Sequence, residues 1–269
     1  KGVRLAIENP QAYVNSNLVG FGNILEAARH CKVSHLVYAS SSSVYGANEK
    51  VPFEATDNVD HPISLYAATK KSNELMAHVY AQLFGVPCTG LRFFTVYGPW
   101  GRPDMAYWKF TEAILEGRPL DVFAGGTLER DFTYVDDIVE GILRLVHCPA
   151  SPDPSWDGAR PNSSTSRAPW QIYNIGNHTP VSVNEMLAIL ERICGRSARR
   201  IERPKPLGDV DRTFADVEPL ARDFGFRPKT RLEDGLAEFV RWYEGWRRSS
   251  GGGARSSARA VPAAAVAGP

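Results

Sequence analysis

Three observations predict a parallel α/β fold. Short apolar runs such as His35–Ala39 and Cys88–Thr95 carry nonpolar residues on both faces, as strands buried inside a parallel sheet do. Amphipathic helical stretches separate them, in the strand–helix–strand order of βαβ units. The strands also stop abruptly, in Ser40–Ser43 after the first and in Tyr97-Gly98-Pro99 after the second. Those are the carboxyl ends at which open α/β sheets bind ligands.

Asn9-Pro10 pairs an Asn cap with Pro at the first helical position. Tyr13, Val14, Leu18, Phe21, Ile24, Leu25 and Ala28 then recur at helical spacing as far as His30. His35–Ala39 reads as a buried strand, and a second helix covers Ser64 to Phe84 and stops at Gly85. The strand Cys88–Thr95 follows. Asp104–Glu116 reads as helix, Leu120–Phe123 as a short strand, and Arg130–Val135 as a strand feeding a helix over Asp136–Val146. Residues 149–170, rich in Pro, Ser and Asp, lack apolar periodicity and read as a loop. Gln171–Ile175 is a strand, and Val183–Ile193 and Leu232–Trp246 are amphipathic helices. The stretch 249–269 is mostly Gly, Ala, Ser and Arg and reads as a disordered tail.

The 269 residues carry 31 Lys+Arg against 30 Asp+Glu, a net charge of +1. That balance, with no basic stripe, argues against an electrostatic nucleic-acid footprint. No run reaches the roughly 18 apolar residues of a membrane span. Cys31, Cys88, Cys148 and Cys194 are widely spaced, which suits free thiols in a reducing, cytoplasmic compartment rather than a metal site. The first residue is Lys1, so the reading expects a chain cut upstream, with any leader or anchor lost.

Two polar features occupy the strand ends. One is Ser40–Ser43 followed by Val44-Tyr45-Gly46. The other is Tyr66-Ala67-Ala68-Thr69-Lys70, whose Tyr and Lys share one helix face. An ammonium beside a phenol favours the phenolate, lowering a reference pKa of about 10 toward the range of a general base. Tyr-x-x-x-Lys is weak by itself; following a serine cluster at the end of a strand, it is far more specific.

Tyr38-Ala39-Ser40-Ser41-Ser42-Ser43-Val44-Tyr45-Gly46, Ser64-Leu65-Tyr66-Ala67-Ala68-Thr69-Lys70 and Leu91-Arg92-Phe93-Phe94-Thr95-Val96-Tyr97-Gly98-Pro99 resemble the extended short-chain dehydrogenase/reductases. Within them the chain is similar to the NAD-dependent nucleotide-sugar epimerases and dehydratases. From Arg92 through Gly98-Pro99-Trp100-Gly101-Arg102-Pro103-Asp104-Met105 it resembles the UDP-glucuronate 4-epimerases. The likeness runs from about Gly2 to Trp246. It implies a Rossmann-type doubly wound parallel sheet, with NAD held by residues 1–98 and 131–148. A smaller α/β domain for the UDP-sugar would comprise 99–130 and 171–248.

The resemblance also implies a mechanism. Tyr66, as phenolate, would take the proton of the sugar 4-hydroxyl while hydride leaves C4 for NAD. Ser41 would hydrogen-bond the same oxygen, with Ser43 beside it, and Lys70 would hold the nicotinamide ribose and keep Tyr66 acidic. A 4-keto sugar would then turn over and be reduced on its other face, with no metal required. Asn17, Ala39 and Phe93 would also line the cofactor, and Thr95 the sugar nucleotide. Arg130 resembles a diphosphate contact and Asp209 a uridine-ribose contact. Arg102 discriminates between substrates, because a planar guanidinium can grip a C5 carboxylate through two parallel bonds. Holding that carboxylate would also suppress loss of CO₂ from the 4-keto uronic acid, a β-keto acid. A homodimer joined by the helices Asn9–His30 and Ser64–Phe84 as a four-helix bundle is implied too.

The sequence departs from the family in one respect. The Gly-x-x-Gly-x-x-Gly turn that cradles the pyrophosphate is absent, and Gly20-Phe21-Gly22 falls inside a helical stretch. The expectation is that the chain starts after the first βαβ units, on the order of 90 residues at roughly 30 per unit, and binds NAD poorly. Other readings remain open at this point. Family decarboxylases carry Glu where Ser43 stands and dehydratases carry Asp-Glu at Ser42-Ser43, which weighs against both. A neutral-hexose epimerase would not need Arg102. A non-catalytic sugar-nucleotide-binding remnant would fit the missing fingerprint but not the intact Ser41, Tyr66 and Lys70.

Overall fold

The computed structural model describes residues 9–206 and 209–249; the expected tail from 250 onward lies outside the described residues. The first helical region runs from α1 (Pro10–Tyr13) through a π-helical turn, Val14–Val19, into α2 (Gly20–His30). Asn9 caps it as the sequence suggests, its Oδ1 accepting from Ala12 N. The π turn interrupts what reads as one continuous α-helix. Asn73 reaches across from a neighbouring helix and donates to Asn17 O at 2.7 Å, one of the ways a helical ladder is opened.

After α2 come β1 (Leu36–Ala39), a 3₁₀ turn (Ser42–Tyr45), α3 (Leu65–Phe84), β2 (Cys88–Phe93) and β3 (Thr95–Tyr97). Ser64 caps α3 through its Oγ, and Gly85 at φ 66° ends it in the left-handed conformation. The chain continues through α4 (Ala106–Glu116), β4 (Pro119–Phe123), β5 (Glu129–Tyr134), α5 (Val135–Val146), β6 (Trp170–Ile175), β7 (Pro180–Ser182), α6 (Val183–Cys194), β8 (Arg199–Arg203), α7 (Glu218–Phe224) and α8 (Leu232–Ser249).

Among the described residues the strands form three sheets. β1, β2 and β6 pair in parallel, with Tyr38 opposite Gly90 and Gly90 opposite Ile172. β3 pairs with β5 in parallel, β5 with β7 antiparallel, and β4 with β8 in parallel. The strand expected over Cys88–Thr95 is therefore two. At Phe94, whose N–H donates to Ile175 O, the chain leaves the first sheet, and Thr95 pairs with Phe132 in the second. Apolar residues on both sides of the break hid it from the sequence.

The domain boundary expected at 171 also moves. Trp170–Ile175 is a strand of the first sheet, paired along its length with β2, because its apolar run completes that core. Conversely, Phe132 and Tyr134 of β5 pack in the second core, with Tyr97, Tyr107, Trp108 and the α8 residues Phe239 and Tyr243. β7, β8 and α7 escape the sequence reading. All five β8 residues are exposed, so no alternation marks them, and β7 has three residues.

Asp131 ties the second sheet to the segment that follows it. Fully buried, its carboxylate accepts from the backbone N–H groups of Asn177 (2.6 Å), His178 (3.1 Å) and Ala215 (3.0 Å). Asp131→Ala strands three backbone donors, that of Ala215 buried and those of Asn177 and His178 part-buried. Each unmet donor costs about 1–3 kcal/mol, so the expected loss is about 3 kcal/mol or more. Thermal unfolding should show Tm falling by roughly 6–12 °C; a Tm within about 2 °C of the parent would contradict the assignment.

Candidate active site

β1 delivers Ala39 and Ser40 to its carboxyl end. Ser40 N–H still donates to Leu91 O at 2.8 Å, so the backbone stays in the sheet until the residue before Ser41. Ser41 then caps the 3₁₀ turn, its Oγ accepting from Ser43 N at 3.2 Å. The turn closes at Gly46, whose φ of 54° and contact with His61 O leave no space for a Cβ. Ser41 is buried and Ser43 half-buried, so the serine cluster is a folded platform rather than a plain surface loop.

α3 carries the other half of the site. Lys70 Nζ donates to Ala39 O at 2.8 Å, and burial lowers the Lys70 pKa below that of a free lysine. Tyr66, one turn earlier and half-buried, meets Tyr13 edge-on, with ring centroids 6.1 Å apart. Asn17 faces the same helix, where its amide donates to Thr69 Oγ1 at 2.9 Å. Asn17 thus joins the π turn to α3. Phe93 ends β2, packed against the apolar cluster below, and Thr95 opens β3 just beyond.

Arg102 sits on the loop before α4, next to a tight contact between Gly101 and the Tyr107 side chain. At Gly101 a Cβ would lie 1.8 Å from Tyr107 Oη, so glycine is required. The guanidinium lies within electrostatic reach of the Tyr66 and Tyr13 phenols. Its fork is engaged by Asp104, with Nε to Oδ1 at 3.0 Å and Nη2 to Oδ2 at 2.9 Å. The pair is about half exposed, so the attraction between its partners is worth at most about 1 kcal/mol. Arg130 and Asp209, expected as separate contacts, are brought together: Arg130 Nη2 donates to Asp209 Oδ1 at 2.5 Å.

Sequence reasoning missed Asp104 and a buried network of Glu74, Arg92, Tyr45 and Asn174 under the serine platform. The signals were present: Glu74 follows Tyr66 and Lys70 at the same four-residue step, and Arg92 is a lone charge in a buried strand.

A scan of protein families matches residues 1–176 to the NAD dependent epimerase/dehydratase family. The chain belongs to that family. Protein CapI of Staphylococcus aureus is 57% identical over 242 residues, covering 90% of this chain and 72% of that protein. A Rhizobium meliloti (strain 1021) protein named "Probable UDP-glucuronate 4-epimerase" is 50% identical over 244 residues, with the same coverage of 90% and 72%. Among solved structures, UDP-glucuronic acid 4-epimerase from Bacillus cereus, in complex with UDP-glucuronic acid and NAD, superposes with a TM-score of 0.79. It is 32% identical, over 91% of this chain and 73% of that one.

The described residues of this family member fit the nicotinamide end of that cofactor. Lys70 is docked by a single backbone bond at the carboxyl end of β1, leaving donors for ribose hydroxyls, and Ala39, Ser41 and Phe93 surround that end of the sheet. No described residue supplies a glycine-rich pyrophosphate turn, since Gly20 and Gly22 lie within α2. No helix among the described residues is long and apolar enough to cross a membrane.

Proposed function

We propose that the protein interconverts UDP-glucuronate and UDP-galacturonate by 4-epimerisation. The observation that carries this reading is the docking of Lys70 on Ala39 O at 2.8 Å, which sets the helix of Tyr66 against the serine platform. Arg102, in a half-exposed pair with Asp104, offers a planar fork for a carboxylate. NAD, when bound, accepts and returns the C4 hydrogen. Tyr66 removes the proton from the 4-hydroxyl and later restores it, and Ser41 donates to the same oxygen. Lys70 holds ribose hydroxyls and places a positive charge one helical turn from Tyr66. Arg102 exchanges Asp104 for the substrate carboxylate, which fixes the uronate ring and discourages loss of CO₂. Arg130 and Asp209 open from each other to take the diphosphate and the uridine ribose. With Ser42 and Ser43 in place of carboxylates, neither position supplies a base for the C5 proton, which separates this reading from dehydration, and the hold of Arg102 on the carboxylate separates it from decarboxylation.

The direct test is to incubate the holoenzyme carrying this chain with UDP-glucuronate and resolve the UDP-sugars. UDP-galacturonate should accumulate to equilibrium and be consumed when supplied alone. UDP-xylose as the product, or turnover of UDP-glucose only, would sink the reading.

The same reading includes a homodimer through the two long helices. α3 exposes Leu75, Val79 and Leu83 at four-residue spacing, and Val19 and Ile24 are exposed on the first helical region. Such a stripe is more apolar than a solvated helix face requires. Leu75→Glu with Leu83→Glu should convert a dimer to monomer in light scattering. A parent that is already monomeric at micromolar concentration would refute the dimer.

A further inference from the structure

Beneath the serine platform lies a charged network that none of the steps above uses. Arg92 projects from β2 with no solvent exposure and grips Glu74 of α3 through two parallel bonds, Nε to Oε1 at 2.9 Å and Nη2 to Oε2 at 3.0 Å. Its Nη1 donates to Tyr45 Oη and to Ala55 O, each at 3.2 Å. Tyr45 Oη in turn donates to Asn174 Oδ1 of β6 at 2.6 Å. Ser40 Oγ donates to Glu74 Oε1 at 2.6 Å, and Lys71 Nζ stands 3.5 Å from Oε2. Burial raises the Glu74 pKa, but Arg92, Lys71 and the Ser40 hydroxyl together outweigh it and hold the carboxyl below its ordinary range.

Stability alone is a weak reason for such a pair. Desolvating two ions costs several kcal/mol each, and a well-packed apolar replacement is often neutral or better. Geometry supplies a stronger one. Tyr66, Lys70 and Glu74 are four residues apart and share one face of α3. Lys70 grips Ala39 O and Glu74 grips Ser40 Oγ, so successive turns of the helix hold successive residues of the strand end. The next residue is Ser41.

We propose that the Glu74–Arg92 pair is a positioning device that locks the Ser40–Ser43 platform in register with the helix carrying Tyr66. Glu74 and Arg92 touch neither substrate nor cofactor; they act through Ser40. The inference rests on the reading of Tyr66 and Ser41 as the proton-transfer pair, and Tyr66→Phe tests that reading separately. A fully active Tyr66→Phe defeats the reading. An inactive Tyr66→Phe beside fully active network variants defeats only the positioning role.

Three variants decide it, each assayed for kcat, KM and Tm with kcat expressed per folded protein. Ser40→Ala removes one hydroxyl bond and buries no unpaired charge. Glu74→Gln leaves Arg92 unneutralised. Glu74→Met with Arg92→Met removes both charges together. Misplacing a catalytic group by about 1 Å costs on the order of 10²-fold. Ser40→Ala should therefore lower kcat about 10-fold and the other two about 10- to 100-fold, with KM for UDP-glucuronate within about 3-fold. The double variant should regain Tm relative to Glu74→Gln without regaining kcat. Recovery of kcat together with Tm would make the pair merely structural and overturn the proposal. So would parental kcat in Ser40→Ala, which stands as the deciding result if the double variant does not fold.

Discussion

Tyr66→Phe should lower kcat for UDP-glucuronate by about 10²- to 10⁴-fold, the range that a positioned general base contributes. The substitution deletes one hydroxyl and keeps the ring that meets Tyr13 edge-on, so the helix and its contacts survive. KM should move by no more than a few-fold, because the lost interaction is made in the transition state rather than in the ground state. Steady-state kinetics on a variant with parental Tm checks the prediction. A loss of less than tenfold would remove Tyr66 as the base and point to Ser41 or solvent instead.

The second large effect concerns Arg102. Arg102→Lys keeps the charge but loses the planar fork, so the two-point grip on a C5 carboxylate cannot form. A charge-assisted hydrogen bond is worth about 1.5–3 kcal/mol, and kcat/KM for UDP-glucuronate should fall roughly 10- to 100-fold. UDP-xylose should appear as a side product once the carboxylate is loosely held. Asp104→Asn works in the opposite direction. It weakens the internal competitor seen at 2.9–3.0 Å, and as an exposed pair that competitor is worth at most about 1 kcal/mol, so KM should drop a few-fold. An unchanged kcat/KM in Arg102→Lys would free Arg102 from the carboxylate role.

Much of this architecture was legible in the sequence because period and punctuation agree. Ser64 and Gly85 bracket α3 in the sequence and in the structure, and Asn9-Pro10 starts the first helix as its capping chemistry requires. The Ser cluster and Tyr-x-x-x-Lys were legible as residues, and their meeting through Lys70 and Ala39 follows from the βαβ path between them. Tertiary partners were not legible. The break at Phe94 carries no sequence mark, since Phe93 and Phe94 flank it, and the π turn at Val14–Val19 accepts an amide from Asn73, which is distant in sequence. Pairings such as Arg102 with Asp104 and Arg130 with Asp209 involve groups assigned to substrate, because a sequence shows charge type but not which counter-charge lies nearest.

The most direct test of the epimerisation mechanism follows hydrogen at C4 and C5. UDP-glucuronate labelled with deuterium at C4 is converted by the holoenzyme in ordinary water, and unlabelled substrate is converted in D₂O. Both products are examined by NMR. If Tyr66 handles only the hydroxyl proton and C5 has no base, UDP-galacturonate keeps the deuterium at C4 in the first reaction and gains none at C5 in the second. Washout of the C4 label, deuterium at C5, or UDP-xylose in place of UDP-galacturonate would contradict the mechanism.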